Sequence, residues 1–415
     1  MGNWLIETKK GIIIKYVLFI ISPFIAFVFS LGTLKTKSSF VVIYLFFVFL
    51  GLSYIVPNNR NVLNFDGVTY RQDFEEYKFV SSTDFIAKFK DYINFEGDAD
   101  FYCHLVYYCV SRITDNYHVM FMIIAMVFSF FSLKSFEIFI REKQFVNSMP
   151  CFILAYLFMS NQIFNINAFR FFTAAWIAVY SLLNIFVKKN NLYVCLLFLT
   201  PMIHGSFFLM LVVYLIYLLL GRYDKFWIIV FIISLFFSNF ILELAQKYLT
   251  SMPSFIFNNY SGYFSDNYVD LINNSGSGFI WVKRLLELLV RLCMNVYVIL
   301  FIFHLNMIKR NIKTGKMISF ILILMSVVNL TSVIPSLGKR YLLLTMPFIA
   351  YIWLVNFEGK KYNKYLYPLG VLFILLFFLP FQVNLLPCLS HYNSVLESTF
   401  YISSPLYLIY KYWFV

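Results

Sequence analysis

YHVMFMIIAMVFSFFSLKSFEIFI, residues 117–140, is the stretch that decides the fold class. It is apolar without the every-second-residue alternation of a half-buried strand. It also exceeds the roughly 20 residues with which a helix crosses about 30 Å of hydrocarbon. Runs of the same character lie on both sides of it. Gly11–Gly32 and Phe40–Val56 precede it; Cys151–Phe164, Phe169–Val187, Leu192–Pro201, Ser206–Leu220 and Phe226–Leu244 follow. Further on come Phe279–Leu305, Met317–Pro335, Tyr341–Phe357 and Tyr365–Phe381. In lipid every backbone polar group needs an internal partner, so unbroken apolar runs imply helices, and the missing alternation excludes a barrel. The expectation is an all-α polytopic membrane bundle of about twelve transmembrane helices, one membrane domain over residues 1–415. Two long polar loops, 57–100 and 245–278, are expected on the extracytoplasmic side. The first run reads as a retained anchor rather than a cleaved signal.

Composition agrees. The 415 residues are 61% hydrophobic and 13% charged, where a soluble domain runs nearer half and a quarter. The net charge of +13 does not imply nucleic acid. Lys and Arg stand in short clusters between apolar runs: Arg141 and Lys143, Lys188 and Lys189, Arg222 and Lys225, Lys309 to Lys316, Lys360 and Lys361. These fall on alternate loops, as the excess of cations on the cytoplasmic side requires. Lys9, Lys10 and Lys15 stand at the start of the first run, which the same scheme starts outside. Six cysteines are scattered without a CxxC or a Cys/His cluster, so they read as small apolar residues and no metal site is expected.

Chemistry is sought where polar residues interrupt apolar context, because ionisable groups there are costly. Arg170 opens the helix after Asn165-Ile-Asn-Ala-Phe; its bland reading is a side chain that snorkels to the headgroups. His204, in Pro201-Met-Ile-His-Gly-Ser206, stands at the outer turn between two short helices. Arg284, Glu287 and Arg291 are spaced i, i+3, i+7 and share one helix face, either as an ion pair or as an anion site oriented by Glu287. Arg340 and Tyr341 follow Pro335 at another outer helix start. Arginines and helix N-termini both favour phosphate, so this set points to a lipid phosphate or an anionic sugar. Asp66 and Tyr70 open the first long loop and Glu96 closes it. Carboxylates act as acid or base in sugar chemistry, although most of the nine acids from Asp66 to Asp100 read as solvated surface.

The pattern resembles the EpsG-like branch of the Wzy-type O-antigen and exopolysaccharide polymerases. The matching pieces are Asp66-Gly-Val-Thr-Tyr70, Phe95-Glu96 before the aromatic segment at Phe101, Asn167-Ala-Phe-Arg170, His204-Gly-Ser206 and Arg340-Tyr341. The resemblance implies a bacterial cytoplasmic-membrane glycosyltransferase of polysaccharide (O-antigen, lipopolysaccharide) biosynthesis. Such an enzyme joins oligosaccharide repeat units carried on undecaprenyl diphosphate at the outer face. The growing chain passes to the non-reducing end of a new lipid-linked unit. His204, Asp66 and Glu96 are the candidate catalytic residues, His204 either as the base or as a hydrogen-bond partner of the diphosphate. Arg170 and Arg340, which stand in the matching pieces, and Arg284 and Arg291, read from their helix spacing, are the candidate diphosphate ligands, with Glu287, Tyr70 and Tyr341 orienting. The donor is already activated, so no metal or other cofactor is implied, and no Walker or Gly-rich signal is present. Membrane lipid and a chain-length regulator are the further partners expected. A flippase or transporter of the same lipid would show two related halves, and none is visible. A membrane O-acyltransferase would place its histidine deep in a helix, whereas His204 stands at a boundary.

Overall fold

The computed structural model describes residues 4–56, 66–160, 168–249, 280–382 and 396–414. The expected loop 245–278 lies outside them from residue 250 onward, as do residues 57–65 of the first loop. The helices in chain order are α1 (Lys9–Ile21), α2 (Pro23–Leu31), α3 (Lys37–Leu52), α4 (Asp66–Tyr77), α5 (Ser82–Ile93), α6 (Tyr102–Ser111) and α7 (Tyr117–Ile140). Then come α8 (Met149–Phe158), α9 (Phe169–Val187), α10 (Val194–Ile203), α11 (Phe207–Leu220), α12 (Asp224–Ser234) and α13 (Ser238–Leu249). The last are α14 (Ile280–Phe303), α15 (Leu305–Arg310), α16 (Met317–Leu330), α17 (Pro335–Asn356), α18 (Lys360–Gln382) and α19 (Pro405–Ile409). Among the described residues there is no strand.

Residues 117–140, 169–187 and 284–303 form helices long and apolar enough to cross a membrane, and five further apolar helices are shorter. This is a helical membrane protein. α7 packs between α3 and α9, and α17 between α8, α9, α14 and α16. The α3–α7 seam is closed by Gly51, where a Cβ would fall 2.4 Å from that of Ala125 and 2.7 Å from the Phe121 carbonyl. Asn295 and Asn329 exchange amide hydrogen bonds at 3.1 and 3.0 Å, tying α14 to α16 inside the bundle.

Two of the expected runs are broken. Gly11–Gly32 is not one span. Pro23 has no N–H to donate and disfavours helical backbone at Ser22, whose φ and ψ are −157° and 125°. α1 and α2 therefore pack against each other as a hairpin. The Lys15 ammonium lies beside Thr36, Ser38 and Ser39 (2.8, 3.0 and 2.7 Å), and Leu5 N–H meets the Lys35 carbonyl at 2.9 Å. Lys15 thus sits at the same end as Lys35 and Lys37, which corrects a scheme that counts this run as a crossing. Thirteen residues reach only about 20 Å at 1.5 Å each, short of a bilayer. The run Phe226–Leu244 likewise divides, between α12 and α13.

Charges gather at that end. The Lys35 ammonium donates to the carbonyls of Glu142 (3.4 Å) and Phe145, and buried Glu142 takes Lys313 at 2.5 Å and the Tyr351 hydroxyl at 2.7 Å. The acidic first loop, read from sequence only as polar, contains two helices, α4 and α5. Ser81 and Asp84 form a capping box at the start of α5.

Candidate functional site

The opposite end of the bundle collects the starts of α4, α9 and α17, the turn between α10 and α11, and the segment before α6. Arg170 is the second residue of α9. Its Nη1 donates to both oxygens of Asp100, at 3.2 and 3.1 Å, and its Cζ stands 5.5 Å from the Tyr70 ring. Tyr70 in turn meets Phe169 edge to face at 4.6 Å. The Arg170 Nε is buried without an acceptor among the described residues. The side chain as a whole keeps 36% of its surface, so its outer N–H groups can still meet an anion.

Three consecutive residues of α17 face three directions, because each step turns the helix by about 100°. Lys339 pairs with Glu287 of α14 at 2.8 Å. The Arg340 guanidinium stands 5.5 Å from the Phe171 ring and has no carboxylate within ion-pair distance among the described residues. The Tyr341 hydroxyl donates to the Ser206 carbonyl at 2.7 Å, fixing the α10–α11 turn. The backbone N–H of Phe101 adds a bond to the Met202 carbonyl at 2.8 Å.

Into this frame project Asp66 and His204, both outside the membrane helices. Asp66 opens to solvent on one side; crowding on the others raises its pKa above 3.8, and Arg340 and then Arg170 pull against that rise. His204 is pushed well below its ordinary pKa, first by burial and then by the same two guanidiniums. Its Nδ1 lies 2.8 Å from Ser206 Oγ and 3.3 Å from the Ser206 nitrogen. Burial also raises the pKa of Asp100, against the pull of Arg170.

The structure therefore brings together Asp66, His204, Arg170 and Arg340, with Tyr70 and Tyr341 holding the frame. Glu96 and Glu287 are placed outside this set. Glu96 is exposed in the turn after α5, beside Phe95 with φ of 59°, and the carboxylate that meets Arg170 is Asp100. Glu287 takes Lys339, the residue before Arg340, and Arg284 and Arg291 stand on the same helix α14.

Sequence reading also missed a chain of side chains beside the site. Asp98 accepts from His104 Nε2 at 2.8 Å, and His104 Nδ1 meets the Tyr77 hydroxyl, which takes Lys88 at 3.5 Å. The hydrogen bond from His104 lowers the Asp98 pKa below 3.8. Only the junction of an acidic loop with an aromatic segment, Asp98-Ala-Asp-Phe-Tyr-Cys-His104, marks Asp98 and His104 in sequence, and nothing local marks Tyr77 or Lys88. No group of three or more His, Cys, Asp or Glu arranged for a metal occurs among the described residues.

A family model described as the EpsG family matches residues 42–394, most of the chain. The match takes in every residue of the cluster. No curated protein and no solved structure matches.

Proposed function

The chain belongs to the EpsG family, and from that premise we propose that it is a polysaccharide polymerase that joins repeat units carried on undecaprenyl diphosphate. The observation that carries this is the gathering of Arg170, Arg340 and His204 at one end of the bundle, with Arg340 and His204 both against the Phe171 ring, Arg170 at the start of the same helix, and Asp66 within the field of both guanidiniums. Two guanidiniums suit a diphosphate, since each offers a planar fork of donors that lysine lacks. Asp66 and His204 are the groups beside them able to exchange a proton or a hydrogen bond with the reacting atoms.

In the proposed reaction a hydroxyl at the non-reducing end of a new lipid-linked unit attacks the anomeric carbon of the growing chain. The new C–O bond forms as the bond to the diphosphate breaks, and the electron pair leaves with the diphosphate oxygen. The hydroxyl proton passes to a base in the cluster. Arg170 and Arg340 stabilise the charge that develops on the leaving group, a stabilisation that grows toward the transition state. The buried rings of Tyr70, Phe169, Phe171 and Tyr341 back the site and lower the polarity on that side, which strengthens these interactions.

The site faces the outside of the cytoplasmic membrane in this proposal. Lys15, Lys35, Arg141 and Lys313 sit at or beside the other end, and an end rich in Lys and Arg is cytoplasmic. Deleting the gene and separating the surface polysaccharide on a gel tests the function. A single repeat unit in place of a ladder, restored by the intact gene, is the expected result. Loss of all lipid-linked sugar from the outer face would instead indicate a flippase.

A further inference from the structure

Resting on the polymerase proposal, we infer that His204 serves as a fixed hydrogen-bond donor to the leaving diphosphate through Nε2–H, with Ser206 as the positioning residue that sets this tautomer and Asp66 as the base.

The geometry turns on which nitrogen of His204 carries the proton. The backbone N–H of Ser206 points at Nδ1 across 3.3 Å. An amide N–H can only donate, so Nδ1 presents its lone pair. The Ser206 hydroxyl, 2.8 Å from the same nitrogen, is free to rotate and donates to it as well. Neutral imidazole has one proton, which is left for Nε2. A base acting through Nε2 needs the opposite tautomer, and that would set an Nδ1–H against the Ser206 N–H.

Aromatic side chains pack on the ring and the turn that carries it is tied down. Phe171 meets it edge to face at 5.4 Å with planes at 86°, and Phe207 lies at 6.4 Å. The peptide after Ser206 is held by the Tyr341 hydroxyl at 2.7 Å, and the turn before His204 by Phe101 N–H at 2.8 Å. Phe171 carries Arg340 against its ring, so His204 and that guanidinium share one aromatic support. A cationic imidazole beside Arg340 and Arg170 would meet like charge, whereas a neutral donor adds to their grip on an anion. His204 and the two arginines then work in the same sense, all donating to the diphosphate. The hydroxyl proton goes to Asp66, a carboxylate with lone pairs to spare and open to solvent on one side.

Three substitutions separate the roles. Glutamine places an amide nitrogen near the position of Nε2, asparagine places one near Nδ1, and alanine supplies neither. In a purified assay with a lipid-diphosphate-linked repeat unit, His204→Gln should keep kcat within about 10-fold of wild type. His204→Asn and His204→Ala should fall about 10²–10³-fold, the range for removing one donor to a developing oxyanion. The acid limb of the pH profile should stay in place in His204→Gln, because it belongs to Asp66. Ser206→Ala should lower kcat several-fold at unchanged KM and thermal midpoint. His204→Gln as inactive as His204→Ala at equal thermal stability would make His204 the base and overturn the inference.

A second measurement stands apart from activity. The 15N spectrum of protein labelled in the histidine rings, with His204 assigned by difference from His204→Gln, reports the tautomer directly. A protonated Nε2 with a lone pair on Nδ1 is the expected result; the reverse overturns the inference whether or not the protein polymerises sugars. The correct tautomer in a protein that forms no polymer would count against the polymerase proposal alone.

Discussion

Removing Asp100 should unsettle Arg170 by an amount the structure lets one bound. Asp100 retains 7% of its surface, and both of its oxygens take the Arg170 Nη1. Breaking a fully buried ion pair costs about 3–5 kcal/mol, because the partner is left charged and desolvated. The Arg170 side chain, however, is 36% exposed, and water can re-solvate part of it. Its Nε has no acceptor among the described residues in the intact site, so that cost does not change on mutation. Asp100→Ala should therefore lower stability by about 1–3 kcal/mol, between the values for buried and surface pairs. The assay is a double-mutant cycle with Arg170→Ala, read by unfolding of the detergent-solubilised protein. The double variant should be little worse than Asp100→Ala alone, giving a coupling of at least about 1 kcal/mol. Costs that simply add would show that the pair contributes nothing, and the reasoning about Arg170 would fail. Polymer made by Asp100→Ala should fall further than stability alone explains, since Arg170 loses the partner that aims it.

Three more predictions follow from particular residues. The acid limb of the rate profile should lie above pH 3.8, because burial raises the pKa of Asp66 and the base is lost as pH falls through that value; Asp66→Ala should abolish polymer while Asp84→Ala and Asp91→Ala leave it near wild type. The segment joining α5 and α6 should stay docked above pH 3.8 and loosen below it. Asp98, its pKa lowered by its bond to His104, contributes docking only while ionised; hydrogen exchange of residues 94–101 measures this, and Asp98→Asn should remove the pH dependence. Gly51→Leu should part α3 from α7 and cost about 1–3 kcal/mol or prevent folding, as overpacking does, whereas substituting exposed Val41 on the same helix should change the unfolding midpoint little.

Residue chemistry explains which parts of this molecule are legible in sequence. Residues 117–140 and 169–187 read as helices because long apolar runs leave the backbone no other solution in lipid, and they are helices. The first run misleads because Ser22-Pro23, two residues inside twenty-two, is all that separates a hairpin from a span. Arg170, His204, Arg340 and Asp66 can be singled out because charge or an imidazole at an apolar boundary is costly. Their convergence is not local information: Arg170 and Asp100 are 70 residues apart. For the same reason the spacing of Arg284, Glu287 and Arg291 suggested an internal partner for Glu287, and the structure supplies Lys339 from another helix. Nothing in the acidic loop distinguishes Asp100 from its neighbours until the chain folds it against α9.

The most direct test of the account is polymerisation by purified protein given only undecaprenyl-diphosphate-linked repeat unit. Wild type should produce a ladder. Arg170→Lys and Arg340→Lys, which keep charge but lose the fork, should each fall by at least about 10-fold at equal thermal stability, whereas Lys339→Arg should not. Full ladders from both arginine variants would contradict the site, and no ladder from the wild-type protein would contradict the function.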